Sequence, residues 1–193
     1  MHRYLIRLDN LARYTPRSTI KVLVEFRRAV DEFRSVVKNL CITDSAIEFD
    51  LYVLDEDLKS KSLKRLTEKF GTLLTERNLE LEERSDNKEN VVKLGITLFN
   101  DARYWECHET LEQIWRKEQK GPEKEMQQGV ILAASALVHF QKDEIDVCLG
   151  MISRALAKLD QWHEPKYYEL NVENLKRNLR NMLSSREVAP FKI

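Results

Sequence analysis

The sequence is poor in the residues that interrupt regular structure, with only five glycines and four prolines among 193 residues. Long helices and strands joined by short connections are therefore expected. Cysteine is also scarce, and the three present, Cys41, Cys107 and Cys148, are far apart and odd in number. They form no Cys-x-x-Cys pair, which argues against a disulfide framework or a zinc site. Small buried thiols in a reducing compartment are the simpler prediction.

Excess charge of one sign and long apolar runs are missing as well. Because 32 Lys and Arg balance 32 Asp and Glu, the basic excess of a general nucleic-acid-binding protein is absent. The longest apolar run, Val130 to Val138, is less than half of the roughly 20 residues that span a bilayer. The start of the chain is too charged for a signal peptide. The sequence therefore predicts a cytoplasmic protein without a membrane segment.

Residues 1–84 combine strand and helix periodicities. Alternating or short apolar runs predict strands at residues 4–8, 36–42, 47–53 and 73–81, and spacings of three and four predict helices at 19–33 and 57–70. This order predicts a small α+β domain, a ferredoxin-like sandwich. The first helix could equally continue to Leu40. Since the central strands show no aromatic pair for stacking bases, we expect the sheet to bind a protein partner or a second copy in a homodimer.

The polar stretch Glu80–Asn90 is the expected domain boundary, and beyond it the apolar spacing is helical throughout. Helices are predicted at 91–99, 103–119, 121–140, 145–159 and 171–183. The third is apolar almost all round, which is typical of a central, buried helix. Short connections make neighbours antiparallel, so residues 85–193 are expected to form an all-α five-helix bundle.

The second helix of this bundle carries the side chains that could form a site. At 100° per residue, His108 falls on the inward stripe with Tyr104 and Trp115, and Glu112 lies one turn after it. On the next helix a polar seam begins at Gln128 and could face this pair. The candidate binding residues are therefore Tyr104, His108, Glu109, Glu112, Trp115 and Gln128.

These residues belong to a longer string with a family resemblance. Leu98-Phe99-Asn100 is followed by Tyr104-Trp105-Glu106-x-His108-Glu109-x-Leu111-Glu112-x-x-Trp115-Arg116 and then by Gln128-Gly129. The string resembles the family called domain of unknown function 309, over roughly residues 88–160. The resemblance implies a compact all-helical domain, found largely in prokaryotes and plastid-bearing organisms, with no established activity. It implies a fold and a site rather than a reaction.

Three interpretations of the site remain open. His108, Glu112 and Gln128 could form a structural hydrogen-bond network, because buried polar groups need partners. His108 and Glu112 could instead hold a divalent metal or act as a catalytic pair, although the second Glu-x-x-His pair of di-iron bundles is missing. Third, the bundle could form a cleft for a small anion, a nucleotide or a peptide, with Trp105, Trp115 and Trp162 as candidate lining residues.

From these alternatives we predict a non-catalytic ligand-binding or protein-interaction module with no cofactor. Its partner is expected to be a protein or a small molecule. The alternative is a metal-dependent, hydrolase-like enzyme that uses His108 and Glu112. The sequence does not decide whether the protein is an enzyme.

Overall fold

The computed structural model describes residues 1–79 and 87–193. The chain divides into two compact units, one made of Met1–Arg84 with Gln141–Asp143 and the other of Ser85–Phe140 with Glu144–Ile193. Most of the predicted boundary stretch, and the last two residues of the predicted strand 73–81, lie outside the described residues. Each unit is described by itself below.

The first unit is a four-stranded antiparallel sheet with two helices. Its elements are β1 (His2–Asp9), α1 (Thr19–Val30), β2 (Val36–Ile42), β3 (Ala46–Val53), α2 (Glu56–Phe70) and β4 (Leu73–Asn78). The strand order across the sheet is β2-β3-β1-β4. This confirms the α+β class, and the elements follow one another in the predicted order. The longer first helix does not form, because α1 is followed by a 3-10 turn and then by Arg34 with a left-handed φ of 51°.

One face of this sheet forms the apolar core. The ring of Phe26 on α1 lies 5.1 Å from that of Phe49 on β3 and 4.0 Å from that of Phe70 on α2. Asp50 alternates with the core residues Phe49 and Leu51 on β3, yet it is only 2 % exposed. Its carboxylate accepts hydrogen bonds from Arg3 Nη2 at 2.8 Å and Asn39 Nδ2 at 2.6 Å. The buried charge is thus paired, as burial requires.

The second unit is helical, as predicted. The described part contains α3 (Lys88–Asn100), α4 (Tyr104–Lys117), α5 (Pro122–Phe140), α6 (Ile145–Leu159) and α7 (Val172–Ser185). Helix α5 is central and packs against both α4 and α6. A short hairpin precedes α7, formed by β5 (Lys166–Tyr167) and β6 (Leu170–Asn171), and the sequence pattern did not predict it. No helix in the described ranges is long and apolar enough to cross a membrane.

Candidate functional site

The predicted pair His108 and Glu112 is brought together on α4, but loosely. His108 Nε2 lies 3.6 Å from Glu112 Oε1, which is longer than a hydrogen bond, and the side chains are 20 % and 26 % exposed. Glu112 instead accepts a hydrogen bond from Arg116 Nη2 at 2.7 Å. The His108 ring lies against Trp105, with centroids 5.5 Å apart. Its Nδ1 is buried and has no hydrogen-bond partner among the described residues.

The other predicted site residues are spread around this pair. Tyr104 is buried and its ring packs edge-on against Phe99 at 5.1 Å, so it belongs to the core. Trp115 is half-buried beneath Lys124 Nζ, which lies 5.1 Å from the ring centroid. Half-buried Gln128 is joined to neither His108 nor Glu112 by any hydrogen bond of the described residues. Glu109 is half-buried too.

The described residues give little support for a metal site or a nucleophilic cysteine in this region. Within residues 1–79 and 87–193, no three His, Cys, Asp or Glu side chains are grouped so that they could hold a metal ion. The cysteines are free, and burial raises the pKa of the Cys107 thiol to about 12 and that of Cys148 to about 11. Both thiols are therefore protonated at neutral pH, whereas a nucleophilic cysteine must be ionised.

A narrow cleft with about 10 Å³ of free volume, roughly the room of one water molecule, lies elsewhere in the bundle, between α3, α4, α5 and the β5–β6 hairpin. Apart from the backbone at one glycine and two polar side chains, its walls are aliphatic or thioether groups. The lining residues are Val92, Gly95, Ile96, Leu111, Ile114, Met126, Gln127, Val130, Tyr167, Leu170 and Ile193. None of the three tryptophans belongs to this lining. The cleft is therefore apolar, and a group larger than a water molecule could enter it only if a lining side chain moved aside.

The two polar lining residues, Gln127 and Tyr167, belong to a closed ring of five hydrogen-bonded side chains. Gln127 Nε2 donates to Glu118 Oε2 and to the Tyr167 hydroxyl, both at 3.0 Å. Tyr167 in turn donates to Glu123 Oε1 at 2.6 Å. Lys88 Nζ closes the ring by donating to Glu118 Oε2 at 2.6 Å and Glu123 Oε1 at 2.9 Å. We call these five residues the polar ring.

Local sequence places the members of the polar ring at the ends of elements. Lys88 is the first residue of α3, and Glu118 follows the last residue of α4. Glu123 lies in the first turn of α5, where a carboxylate is favoured by the helix dipole, and Gln127 follows one turn later on the same face. The hairpin adds Tyr167 from a distant part of the chain.

The charges of the polar ring shift the ionisation of its members. The hydrogen bond from Lys88 is the main reason why the pKa of Glu118 is lowered. Hydrogen bonds to Glu118 and then Glu123 raise the pKa of Lys88. Burial, followed by the bond to Glu123, raises the pKa of Tyr167. At neutral pH the ring thus contains a charged lysine, a charged Glu118 and a neutral tyrosine.

The orientation of the Gln127 amide is fixed by this ring. Its two N–H groups are used by Glu118 and Tyr167, and a flipped amide would place its oxygen against the Glu118 carboxylate. The carbonyl Oε1 is buried and is left without a partner in the part of the chain that the structure describes. An unpaired buried acceptor is uncommon in proteins and requires an explanation.

Most residues of this site were therefore not predicted from the sequence. Gln128 was the predicted residue on α5, whereas the buried amide is that of Gln127, which is 3 % exposed. The spacing of Glu123 and Gln127, four residues apart on a helix, was a signal that could have identified them. Lys88 and Tyr167 gave no signal, because their role depends on contacts between separate elements.

A family model matches part of the chain. The model of the family described as Domain of unknown function (DUF309) matches residues 92–151, from α3 into α6. The matched segment contains the α4 string with His108 and Glu112, and it also contains Gln127 and the α3, α4 and α5 walls of the cleft. No curated protein matches the chain. Residues 92–151 are thus similar to the family that the string in α4 resembles.

Proposed function

We propose that the helical unit is a non-catalytic binding module that holds an apolar group of its ligand in the cleft between α3, α4 and α5. The observation that carries this proposal is an aliphatic cleft bordered at one place by the polar ring. Ligand sites are commonly apolar clefts with a few fixed polar groups of this kind.

The hydrogen bonds within the polar ring favour binding over catalysis. The carboxylates and the lysine of the polar ring are bonded to one another, so none is held ready as a general base. His108 and Glu112 are not among the residues that line the cleft. The free cysteines also support a reducing compartment, and we propose the cytoplasm.

Placing a charge in the cleft should abolish binding of a small apolar probe. Isoamyl alcohol, titrated into the full-length protein, should shift the amide NMR signals of Val92, Gly95 and Ile114. Ile96→Asp should remove this response, because a carboxylate in an apolar site resists desolvation. Leu94→Asp is the matched control on the same helix, since Leu94 is 46 % exposed and lies outside the lining. If isoamyl alcohol shifted the NMR signals of Ile96→Asp and Leu94→Asp equally, the alcohol would bind outside the cleft.

A metal-dependent enzyme is the second candidate, and one observation favours it. His108 Nδ1 is buried and has no hydrogen-bond partner within residues 1–79 and 87–193, and His108 Nε2 lies near the Glu112 carboxylate. His108→Ala should change the free energy of unfolding by less than about 1 kcal/mol, since partly exposed ion pairs contribute little.

Elemental analysis measures the metal content of the protein purified without chelators and of the His108→Ala, Glu112→Ala double variant. Stoichiometric metal that disappears in the variant would replace our proposal with this candidate.

A further inference from the structure

The side chain of Asn100, in the Phe-Asn motif at the end of α3, makes a two-point contact with the backbone of Ile193. Asn100 Oδ1 accepts from the Ile193 N–H at 2.9 Å, and Asn100 Nδ2 donates to the Ile193 carbonyl at a longer 3.4 Å. These are the hydrogen bonds that the structure gives to the Asn100 side chain. The amide therefore faces a segment far away in sequence rather than its own helix.

The residues next to Ile193 are held in a similar way. Asn174 Nδ2, on α7, donates to the Lys192 carbonyl at 2.8 Å. The ring of Phe191 lies 5.3 Å from that of Phe99, edge to face. Ile193 itself forms part of the wall of the apolar cleft. The side-chain amides of Asn100 and Asn174 thus bind the backbone of Ile193 and Lys192. The side chains of Phe191 and Ile193 make apolar contacts.

This combination of groups is suited to a peptide. An asparagine side chain carries the donor and acceptor pair that complements a backbone N–H and C=O, and it does so for any residue type. Selectivity must then come from the apolar contacts, which here accept an aromatic residue and an aliphatic residue two positions later. Main-chain hydrogen bonds with pockets for alternate side chains are a general mode of peptide recognition.

The segment 186–193 is held weakly enough to be displaced. It follows the end of α7, where Arg186 adopts a left-handed φ of 57°, and it has no regular secondary structure. None of its eight residues is buried, and only Val188, Phe191 and Ile193 are partly buried against the bundle. Surface segments with few buried contacts open locally at a small fraction of the global stability.

We propose that Phe99, Asn100, Asn174 and the apolar cleft form a peptide-binding groove. Its functional occupant is a segment of a partner protein in which an aromatic residue is followed two positions later by an aliphatic one. Phe191-Lys192-Ile193 occupies the groove in the free chain and shows which pattern fits. The proposal rests on the proposed function, because the aliphatic side chain of the partner takes the place of Ile193 in the wall of the same cleft.

The test uses a fluorescently labelled peptide of residues 186–193, Arg-Glu-Val-Ala-Pro-Phe-Lys-Ile, and full-length protein. The variant Phe191→Ser, Ile193→Ser weakens the resident segment. Fluorescence anisotropy should show the peptide binding to this variant about tenfold or more tightly than to the wild type, where the tethered segment competes at high effective concentration. A peptide with serine at both apolar positions should not bind.

The role of Asn100 is tested in the same background. Asn100→Ala should weaken peptide binding about tenfold or more, since it removes both backbone contacts, whereas alanine is well tolerated in a helix. Asn181→Ala is the matched control, because Asn181 is exposed on α7. Thermal melting of each variant confirms that it is folded.

Equal peptide binding by the wild type and the tail variant would overturn the proposal, and so would the absence of any effect of Asn100→Ala. Failure of the peptide to bind the folded tail variant would also overturn it. If isoamyl alcohol still enters the cleft in that last case, the proposed function stands and only the peptide inference fails. If neither probe binds, both fail.

Discussion

Replacing Gly129 with alanine should lower the free energy of unfolding by about 1–3 kcal/mol, although alanine is the better helix former. Gly129 lies on α5 where α6 comes closest. A methyl group there would lie 2.6 Å from Leu159 Cγ and 3.1 Å from the Ala155 carbonyl oxygen. Since the second neighbour is backbone, a side-chain rotation cannot relieve the whole clash, and the two helices must move apart.

Gly150→Ala is the control for this prediction. Gly150 is also inside a helix, α6, but a methyl group added there meets nothing within 4 Å. The same substitution should therefore stabilise the protein by about 0.5–1 kcal/mol, through helix propensity alone. Urea unfolding followed by circular dichroism measures both. The close approach of α5 and α6 would be refuted if the two variants shifted stability in the same direction.

Lys88→Met should lower the free energy of unfolding by about 1–2 kcal/mol at neutral pH. The substitution leaves Glu118 and Glu123 close together without the cation between them. The expected loss is below the 3–5 kcal/mol typical of a fully buried pair, because Lys88 is 35 % exposed and solvent screens its charge. Thermal and urea unfolding of the wild type and the variant test this value.

The effect of Lys88→Met should depend on pH in a defined direction. The pKa of Glu118 is lowered in the folded protein, chiefly by Lys88. The ion pair therefore contributes to the free energy of unfolding above the pKa of an unfolded glutamate, about 4.3, and this contribution is lost as the pH falls through the pKa of Glu118 in the folded protein. The raised pKa of Lys88 sets the upper pH limit of the effect. The contribution of Lys88 to stability is present below the pKa of an unfolded lysine, about 10.4, and is lost as the pH rises through the pKa of Lys88 in the folded protein.

The stability difference between wild type and Lys88→Met should therefore be greatest between about pH 5 and pH 10 and shrink on either side. Lys93→Met provides the comparison on the same helix. Lys93 pairs with Glu89 and Glu169 at the surface and is 43 % exposed. Its removal should change stability little at any pH. A pH-independent difference for Lys88→Met would show that the ion pairs of the polar ring are not responsible.

The regular elements could be predicted because their signals are local. The apolar spacing of α5 and α6 repeats over four or five turns, and Gly71 follows directly after α2. The alternation of Ile47, Phe49 and Leu51 likewise marks β3 without knowledge of its partners. The β5–β6 hairpin has strands of two residues each, too short to give any periodicity, so it was not predicted.

The candidate site was predicted less well, because it depends on how helices meet. The sequence indicates that α4 carries a polar string and that α5 begins with polar residues. It does not indicate how far each helix is rotated about its axis, and a shift of one residue, about 100°, separates half-buried Gln128 from buried Gln127. Asn100 was noted within the motif, but nothing local shows that its amide holds Ile193.

By itself, then, the sequence determined the α+β class, the order of the elements and the helical nature of the segment that matches a family, since all three follow from composition and periodicity. Tertiary structure alone decided that Lys88, Gln127 and Tyr167 close one hydrogen-bonded ring and that Ile193 lies at an apolar cleft. The physical reason is that hydrogen bonds and cavities depend on positions to within about an ångström. Such positions are set only when whole helices pack.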